Sequence, residues 1–141
     1  MSSTTLLAEY GTYHRDPRNR ICHEIGIPLI VASSFTFLGL LKIGPANSGA
    51  LVGAAVLAYY AFVNIRLALI AAVAFVALYA LGNVMIWPLA IAAFAAGWVL
   101  QFVGHKFEGK SPAFLKNGLH LLIGPLWIVS MLFQQKTKSS A

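Results

Sequence analysis

The side chains in this chain with the greatest capacity for chemistry are its four histidines. They lie in or beside the two polar stretches of any length, residues 10–24 and residues 104–117. These histidines are His14, His23, His105 and His120. Neutral imidazole is the commonest protein ligand for late first-row metal ions. The placement therefore predicts one shared metal site, although a histidine at a membrane edge can also be a solvated or headgroup-binding side chain.

The spacing of the histidines indicates how they could meet. His14 and His23 would point to opposite faces of one continuous helix, but Pro17 disfavours such a helix and a bend there lets the two converge. His105 is predicted to end one helix and His120 to begin the next, so a short loop brings this second pair together. Histidines with a carboxylate nearby suit Fe(II), with positions left open for a substrate and O2.

Other polar side chains near the histidines are candidates for orienting the ligands or holding a substrate. Carboxylates and amides accept N–H groups from ligating imidazoles, and basic groups attract an anionic headgroup. The candidates are Asn19, Glu24, Gln101, Glu108, Arg15 and Lys106. On sequence alone, each carboxylate could equally pair with a neighbouring Arg or Lys, and each basic residue could simply mark a cytoplasmic loop.

The elements that must position these residues are apolar helices. The chain has 141 residues, of which 59% are hydrophobic and 10% charged, and its mean hydropathy is +0.77. Soluble domains carry about a quarter charged residues, and one this small could not bury so much apolar surface. The composition predicts a single all-α domain, residues 1–141, that forms a polytopic integral membrane bundle.

Five apolar runs predict the helices of this bundle. Each run has about 15 to 20 residues, close to the roughly 20 that a perpendicular span requires. The predicted helices are about 25–41, 50–63, 67–81, 84–103 and 119–133. The fifth could be a re-entrant or interfacial helix, so we expect four to five membrane helices.

Four crossings return the chain to the side on which it started, which places both histidine segments on one face. Most of the basic residues then lie on that face: Arg15, Arg18, Arg20, Arg66, Lys106, Lys110 and Lys116. The opposite side carries Lys42 and, if the fifth helix crosses, Lys136 and Lys138. Because basic residues are concentrated in cytoplasmic loops, we expect the histidine face in the cytoplasm.

The composition also excludes some functions. The net charge of +6 lies outside the apolar runs and forms no basic stripe with interleaved aromatics, so we expect no nucleic-acid partner. Cys22 is the single cysteine, which excludes an intramolecular disulfide and a structural zinc site built on cysteines.

The polar residues occur in a pattern that resembles the Mpo1-like family over nearly the whole chain. The pattern consists of Tyr10-(x3)-His14-(x4)-Asn19-(x3)-His23-(x2)-Gly26-(x)-Pro28, then Gln101-Phe-Val-Gly-His105-Lys-Phe-Glu108-Gly-Lys-Ser-Pro112, then Leu119-His-Leu-Leu-Ile-Gly-Pro-Leu-Trp127. The resemblance implies a dioxygenase that uses Fe(2+) and O2 to shorten 2-hydroxy fatty acids by one carbon with release of CO2. The family's metal-binding and catalytic histidines correspond to His14, His23, His105 and His120.

The short chain resembles bacterial members of that family, which implies the bacterial inner membrane, whereas a eukaryotic member would lie in the endoplasmic reticulum membrane. Two other interpretations remain open: a small non-catalytic membrane scaffold with interfacial histidines, and a haem-binding membrane protein. A di-iron lipid hydroxylase needs more histidines, in closely spaced boxes. A transporter would place ionisable groups inside its spans. Residues 25–41 and 67–81 contain no Asp, Glu, Lys, Arg or His.

Overall fold

A computed structural model of the chain describes residues 3–139, with the side chains of residues 5–134. Within this range the chain folds into six α-helices. They are α1 (Ser3–Thr12), α2 (Pro17–Gly39), α3 (Ser48–Val63), α4 (Ile65–Val84), α5 (Trp87–Glu108) and α6 (Leu119–Ser139). A two-residue antiparallel ladder joins α2 to α3 through β1 (Lys42–Ile43) and β2 (Ala46–Asn47), and a short 3-10 helix (Ala113–Leu115) precedes α6. The all-α prediction is confirmed.

Three of the helices are long and apolar enough to cross a membrane: α2, α4 and α5. The other two apolar helices, α3 and α6, have shorter apolar stretches within the described residues. α3 has 16 residues, which gives about 24 Å against a hydrocarbon core of about 30 Å, and the apolar part of α6 is Leu119–Gln134. The expected four to five crossings therefore rest on three full-length spans and two helices with shorter apolar stretches. The predicted basic residues Lys136 and Lys138 have side chains outside the described part.

Close packing of α2 against α5 depends on glycines in the contact. A Cβ added at Gly97 would lie 2.8 Å from the carbonyl oxygen of Gly26, and one added at Gly104 would lie 2.4 Å from Oδ1 of Asn19. Small residues at such contacts let two apolar helices approach closely. The packing places the first turns of α2 beside the last turns of α5, where both carry polar side chains.

The end of the bundle far from the histidines joins α2, α3 and α4. The Thr36 hydroxyl donates a 2.7 Å hydrogen bond to the Gly82 carbonyl, and the Asn47 side-chain amide donates one of 3.1 Å to Oδ1 of Asn83. The α3–α4 turn at Asn64 lies at the opposite end, so successive helices alternate in direction. Both polar segments consequently lie at one end of the bundle.

The first boundary that differs from the prediction is the start of α2. This helix begins at Pro17 rather than near residue 25, because proline suits the first position of a helix and Asp16 caps it by accepting a 2.9 Å bond from the Arg18 amide. Pro17 does separate the two N-terminal histidines, as expected. The polar residues 17–24 are helical, so His23 is held on a rigid element.

The second difference is the end of α5, which continues to Glu108 rather than stopping near residue 103. The helix ends at Gly109, whose φ of 72° is the left-handed conformation that favours glycine at this position. His105 and Glu108 therefore occupy the last turn of a helix instead of a polar loop.

Helix α1, which was not predicted, packs against α6. Leu6 and Tyr10 of α1 are buried in one cluster with Ile123, Trp127 and Met131 of α6. This cluster fixes the position of the segment that follows α1, and that segment carries the first histidine.

Candidate metal centre

Three histidine rings meet at the polar end of the bundle. His14 comes from the segment between α1 and α2, His23 from α2 and His105 from α5. One ring nitrogen from each lies within 4.8 Å of the others, and all three side chains are buried. Their ring centroids are 4.3 to 4.9 Å apart. In the described part of the chain, this is the group of side chains whose donor atoms could hold a metal ion.

Backbone carbonyls determine which ring nitrogen is available for a metal. Nδ1 of His14 donates to the Tyr10 carbonyl at 2.7 Å, and Nδ1 of His23 donates to the Asn19 carbonyl at 2.9 Å. A carbonyl can only accept, so each Nδ1 carries the proton and each neutral ring presents its Nε2 lone pair. The two Nε2 atoms lie 3.0 Å apart. Two lone pairs at this distance repel each other unless a cation or a proton lies between them.

A shared proton is disfavoured by the surroundings of His14. Burial, and then the nearby rings of His23 and His105, lower the pKa of His14 from 6.5 to about 3, against the opposing effect of the Tyr10 carbonyl. A metal ion fits better, because bonds of about 2.0–2.1 Å to both nitrogens separate them by roughly 2.9–3.3 Å. Imidazole donors suit iron, zinc, copper and nickel.

Glu108 fastens the segment that carries His14 onto α5. Its Oε1 accepts the Arg15 amide at 2.8 Å, and its Oε2 accepts the Asp16 amide at 2.8 Å and the side-chain amide of Asn19 at 3.1 Å. A single carboxylate thus binds two amides just before α2 and one side chain in its first turn. Glu108 and Asn19, which the sequence indicated, support the histidines from outside.

Arg20 and Tyr10 also position His14, and neither was predicted as a site residue. Arg20 donates from Nε to the His14 carbonyl at 2.7 Å. The Tyr10 ring stacks on His14 with centroids 4.2 Å apart and an interplanar angle of 8°. Burial raises the pKa of Tyr10, so its hydroxyl stays neutral. The four-residue spacing of Tyr10 and His14, one helical turn, was the available signal.

His120, the fourth predicted ligand, lies beside the group of three rather than within it. Its side chain is buried, and its Nε2 is 3.6 Å from Oε1 of Glu9. Its ring meets Tyr10 and Tyr13 edge-on, with centroids 6.0 and 6.1 Å apart. Neither ring nitrogen has a hydrogen-bond partner among the residues that the structure describes. His120 faces the same cavity as the other three histidines.

The remaining candidates divide into one that faces this cavity and three that do not. Gln101 is buried and lines it, and its Nε2 has no hydrogen-bond partner within the described residues. Arg15 contributes its backbone amide only, and its side chain is exposed. Glu24 and Lys106 are outside the cavity lining.

The cavity begins at the histidines and continues between α2, α5 and α6. Its volume is about 260 Å³, and apart from the polar side chains at one end it is lined mainly by apolar and aromatic groups. These include Ile30, Val31, Phe94, Trp98, Phe114 and Leu121. A second cavity of about 200 Å³ shares Ile30, Val31 and Leu121 with the first and extends to Val56 of α3. The two cavities are therefore adjacent, and we refer to the pair, of which the first begins at the histidine cluster, as the apolar track.

Comparison with known proteins identifies the family. The model of the family described as 2-hydroxy-palmitic acid dioxygenase Mpo1-like matches residues 2–136. The chain is 30% identical over 130 residues to the 2-hydroxy-palmitic acid dioxygenase MPO1 of Saccharomyces cerevisiae, a match that covers 87% of this chain and 75% of that protein. No solved structure matches the chain. The family match spans all four histidines and both polar segments, and the chain therefore belongs to the Mpo1-like family.

Proposed function

We propose that this protein is an Fe(II)-dependent dioxygenase that converts a 2-hydroxy fatty acid into the fatty acid one carbon shorter. The observation that carries the proposal is the pair of Nε2 lone pairs of His14 and His23, 3.0 Å apart and next to His105. Its relative in yeast is named as a dioxygenase of 2-hydroxy-palmitic acid, which supports the reaction and the substrate class.

The reaction balances without an outside reductant. A 2-hydroxy acid and O2 give the shortened acid, CO2 and water: the C1–C2 bond breaks, C1 leaves as CO2, and C2 becomes the new carboxyl carbon. This oxidation releases four electrons, which is the number that reduction of O2 consumes. Bound iron would supply the redox chemistry, with His14, His23 and His105 as the ligands that hold it.

The other polar groups of the cavity would bind and orient the substrate head. Gln101 offers a buried N–H donor with no partner among the described residues, which suits a carboxylate. His120 offers a ring that can accept the proton of the hydroxyl or donate to the carboxylate. Glu9, 3.6 Å from His120, would orient that ring.

The apolar track would hold the acyl chain. Its walls are hydrocarbon and aromatic side chains, so a fatty tail gains free energy by leaving water. The same end of the bundle carries most of the basic residues, and we propose that it faces the cytoplasm, in a bacterial inner membrane.

The structure argues against the two alternative interpretations. The histidines are buried, with relative exposures of 1%, 2%, 5% and 2% for His14, His23, His105 and His120, which disfavours interfacial side chains of a scaffold. The rings of His14, His23 and His105 touch one another edge to face, which leaves no space between them for a porphyrin.

The proposal is tested with purified protein loaded anaerobically with Fe(II) and then given O2 and 2-hydroxypalmitate. We expect pentadecanoic acid by mass spectrometry, one CO2 per product, and loss of both with a chelator or in His105→Ala. Bound iron without any product from 2-hydroxy acids of several lengths would contradict the substrate class. Product formation that persists after complete removal of metal would contradict the role of iron.

A further inference from the structure

A separate cavity at the histidine end of the bundle is lined by two arginines. It has a volume of about 570 Å³ and lies between α1, the start of α2, α4 and α6. Arg20 and Arg66 line it together with apolar side chains that include Leu7, Leu67 and Met131. The cavity thus combines positive charge with a hydrocarbon wall.

No acidic side chain lines this cavity within the part of the chain that the structure describes. The whole chain has only four Asp and Glu residues, and three of them contact other groups: Glu9, Asp16 and Glu108. The N-terminus of α4, where Arg66 lies, adds a further partial positive charge. The fourth, Glu24, lies one turn after Arg20 on α2 but is outside the cavity lining, and no salt bridge to Arg20 or Arg66 is formed among the described residues.

Arg20 is the better fixed of the two. It is half-buried, and its Nε donates to the His14 carbonyl at 2.7 Å, which holds the guanidinium in place. The terminal nitrogens remain to bind an anion, because a guanidinium has five N–H donors and Nε uses only one. Arg66 is exposed at the other side of the cavity and can approach the same anion.

We propose that this cavity binds a phosphate group, supplied by the headgroup of an anionic phospholipid. Arginine binds phosphate oxygens in pairs and through its charge. The cavity lies at the ends of apolar helices, the level at which lipid headgroups are found, and Leu7, Leu67 and Met131 provide a surface for the acyl chains. Because Arg20 also binds the His14 carbonyl, the bound phosphate is one side chain away from the histidine cluster.

The test uses native mass spectrometry to measure which phospholipids the 141-residue chain retains from vesicles of mixed phosphatidylglycerol and phosphatidylcholine. Arg66→Gln removes one cavity charge at an exposed position, and Arg15→Gln is the matched control, because Arg15 is an exposed arginine at the same end of the bundle and outside the cavity. We expect preferential retention of phosphatidylglycerol by the natural protein and by Arg15→Gln. Loss of one charged contact should weaken that retention about tenfold or more in Arg66→Gln.

A second arm adds inorganic phosphate to separate the two sources of the anion. If inorganic phosphate displaces phosphatidylglycerol from the natural protein and Arg66→Gln abolishes this competition, the result would support recognition of the phosphate group. Equal weakening in Arg15→Gln and Arg66→Gln would overturn the cavity in favour of a diffuse basic face. Phosphate binding without any retained lipid would overturn the phospholipid as its source.

Discussion

Asn19 and Glu108 are joined by a 3.1 Å hydrogen bond between the side-chain amide of the first and Oε2 of the second, across the contact between α2 and α5. The Asn19 carbonyl also receives the Nδ1 proton of His23, while the Glu108 carboxylate receives the amides that follow His14. One contact between two helices therefore supports two of the three clustered histidines. These two residues would not touch a bound metal ion, and their role would be to position the side chains that could hold it.

Replacing Glu108 with Gln should weaken iron binding while the bundle stays folded. The new NH2 group would face an N–H donor instead of accepting from it, so the segment carrying His14 loses part of its attachment. Supporting residues of this kind typically contribute about 10- to 100-fold to metal affinity. Anaerobic iron titration measures the effect, with circular dichroism to check the fold. Glu24→Gln is the matched control, because Glu24 lies outside the cavity lining and carries the same change; equal weakening in both would contradict the positioning role.

Replacing His120 with Ala should separate metal binding from turnover. The structure places His120 outside the group of three, so we expect His120→Ala to retain iron while its kcat falls, by roughly 10²- to 10⁴-fold if the ring transfers a proton. His23→Ala should lose both iron and activity. Metal analysis and product formation on the same samples distinguish the two results. Loss of iron in His120→Ala would instead make it a fourth ligand, as the sequence pattern predicts.

The helical architecture could be predicted because apolar runs of membrane length leave the chain few alternatives. The ends of the helices could not, since hydropathy marks where apolar residues stop, whereas α2 and α5 continue with polar side chains directed at the site. Residues 17–24 illustrate this point: they are polar in sequence and helical in the structure.

The convergence of the histidines was predictable in outline from the direction of successive helices. Its details depend on contacts between residues far apart in the chain. Glu108 binds the amides of Arg15 and Asp16, which are 93 and 92 positions away, and no local pattern reveals such a pair. The position of His120 depends likewise on how α6 packs against α1.

Acidification should destabilise the metal-free protein through His14. Its pKa is about 3 in the folded state against 6.5 as the ordinary value, so between these values the unfolded chain takes up a proton that the folded chain does not. The contribution of neutral His14 to the free energy of unfolding is therefore fully present above about pH 6.5. Below that pH it falls, by up to about 1.4 kcal/mol per pH unit. Thermal unfolding in detergent between about pH 8 and pH 5 measures the slope. His14→Asn, which cannot titrate, should show a shallower slope; an unchanged slope would assign the effect to other groups.

The apolar track predicts that Val56 limits the length of the acyl chain. Val56 lines the cavity that extends the track beyond Ile30 and Val31, so Val56→Phe should fill its far end and leave the histidine end unchanged. Each methylene that can no longer be buried costs about 0.8 kcal/mol, roughly a fourfold loss of kcat/KM, so long 2-hydroxy acids should lose activity while short ones keep it.

A series of 2-hydroxy acids of increasing length, assayed for kcat/KM, measures this shift. Val73→Phe is the matched control, since Val73 is 74% exposed on α4 and the same substitution there leaves the track open. An equal change in both variants, or an equal loss at every chain length in Val56→Phe, would show that the acyl chain takes another path. A shift confined to Val56→Phe would establish the direction of the substrate, with its head at the histidines and its tail toward α3.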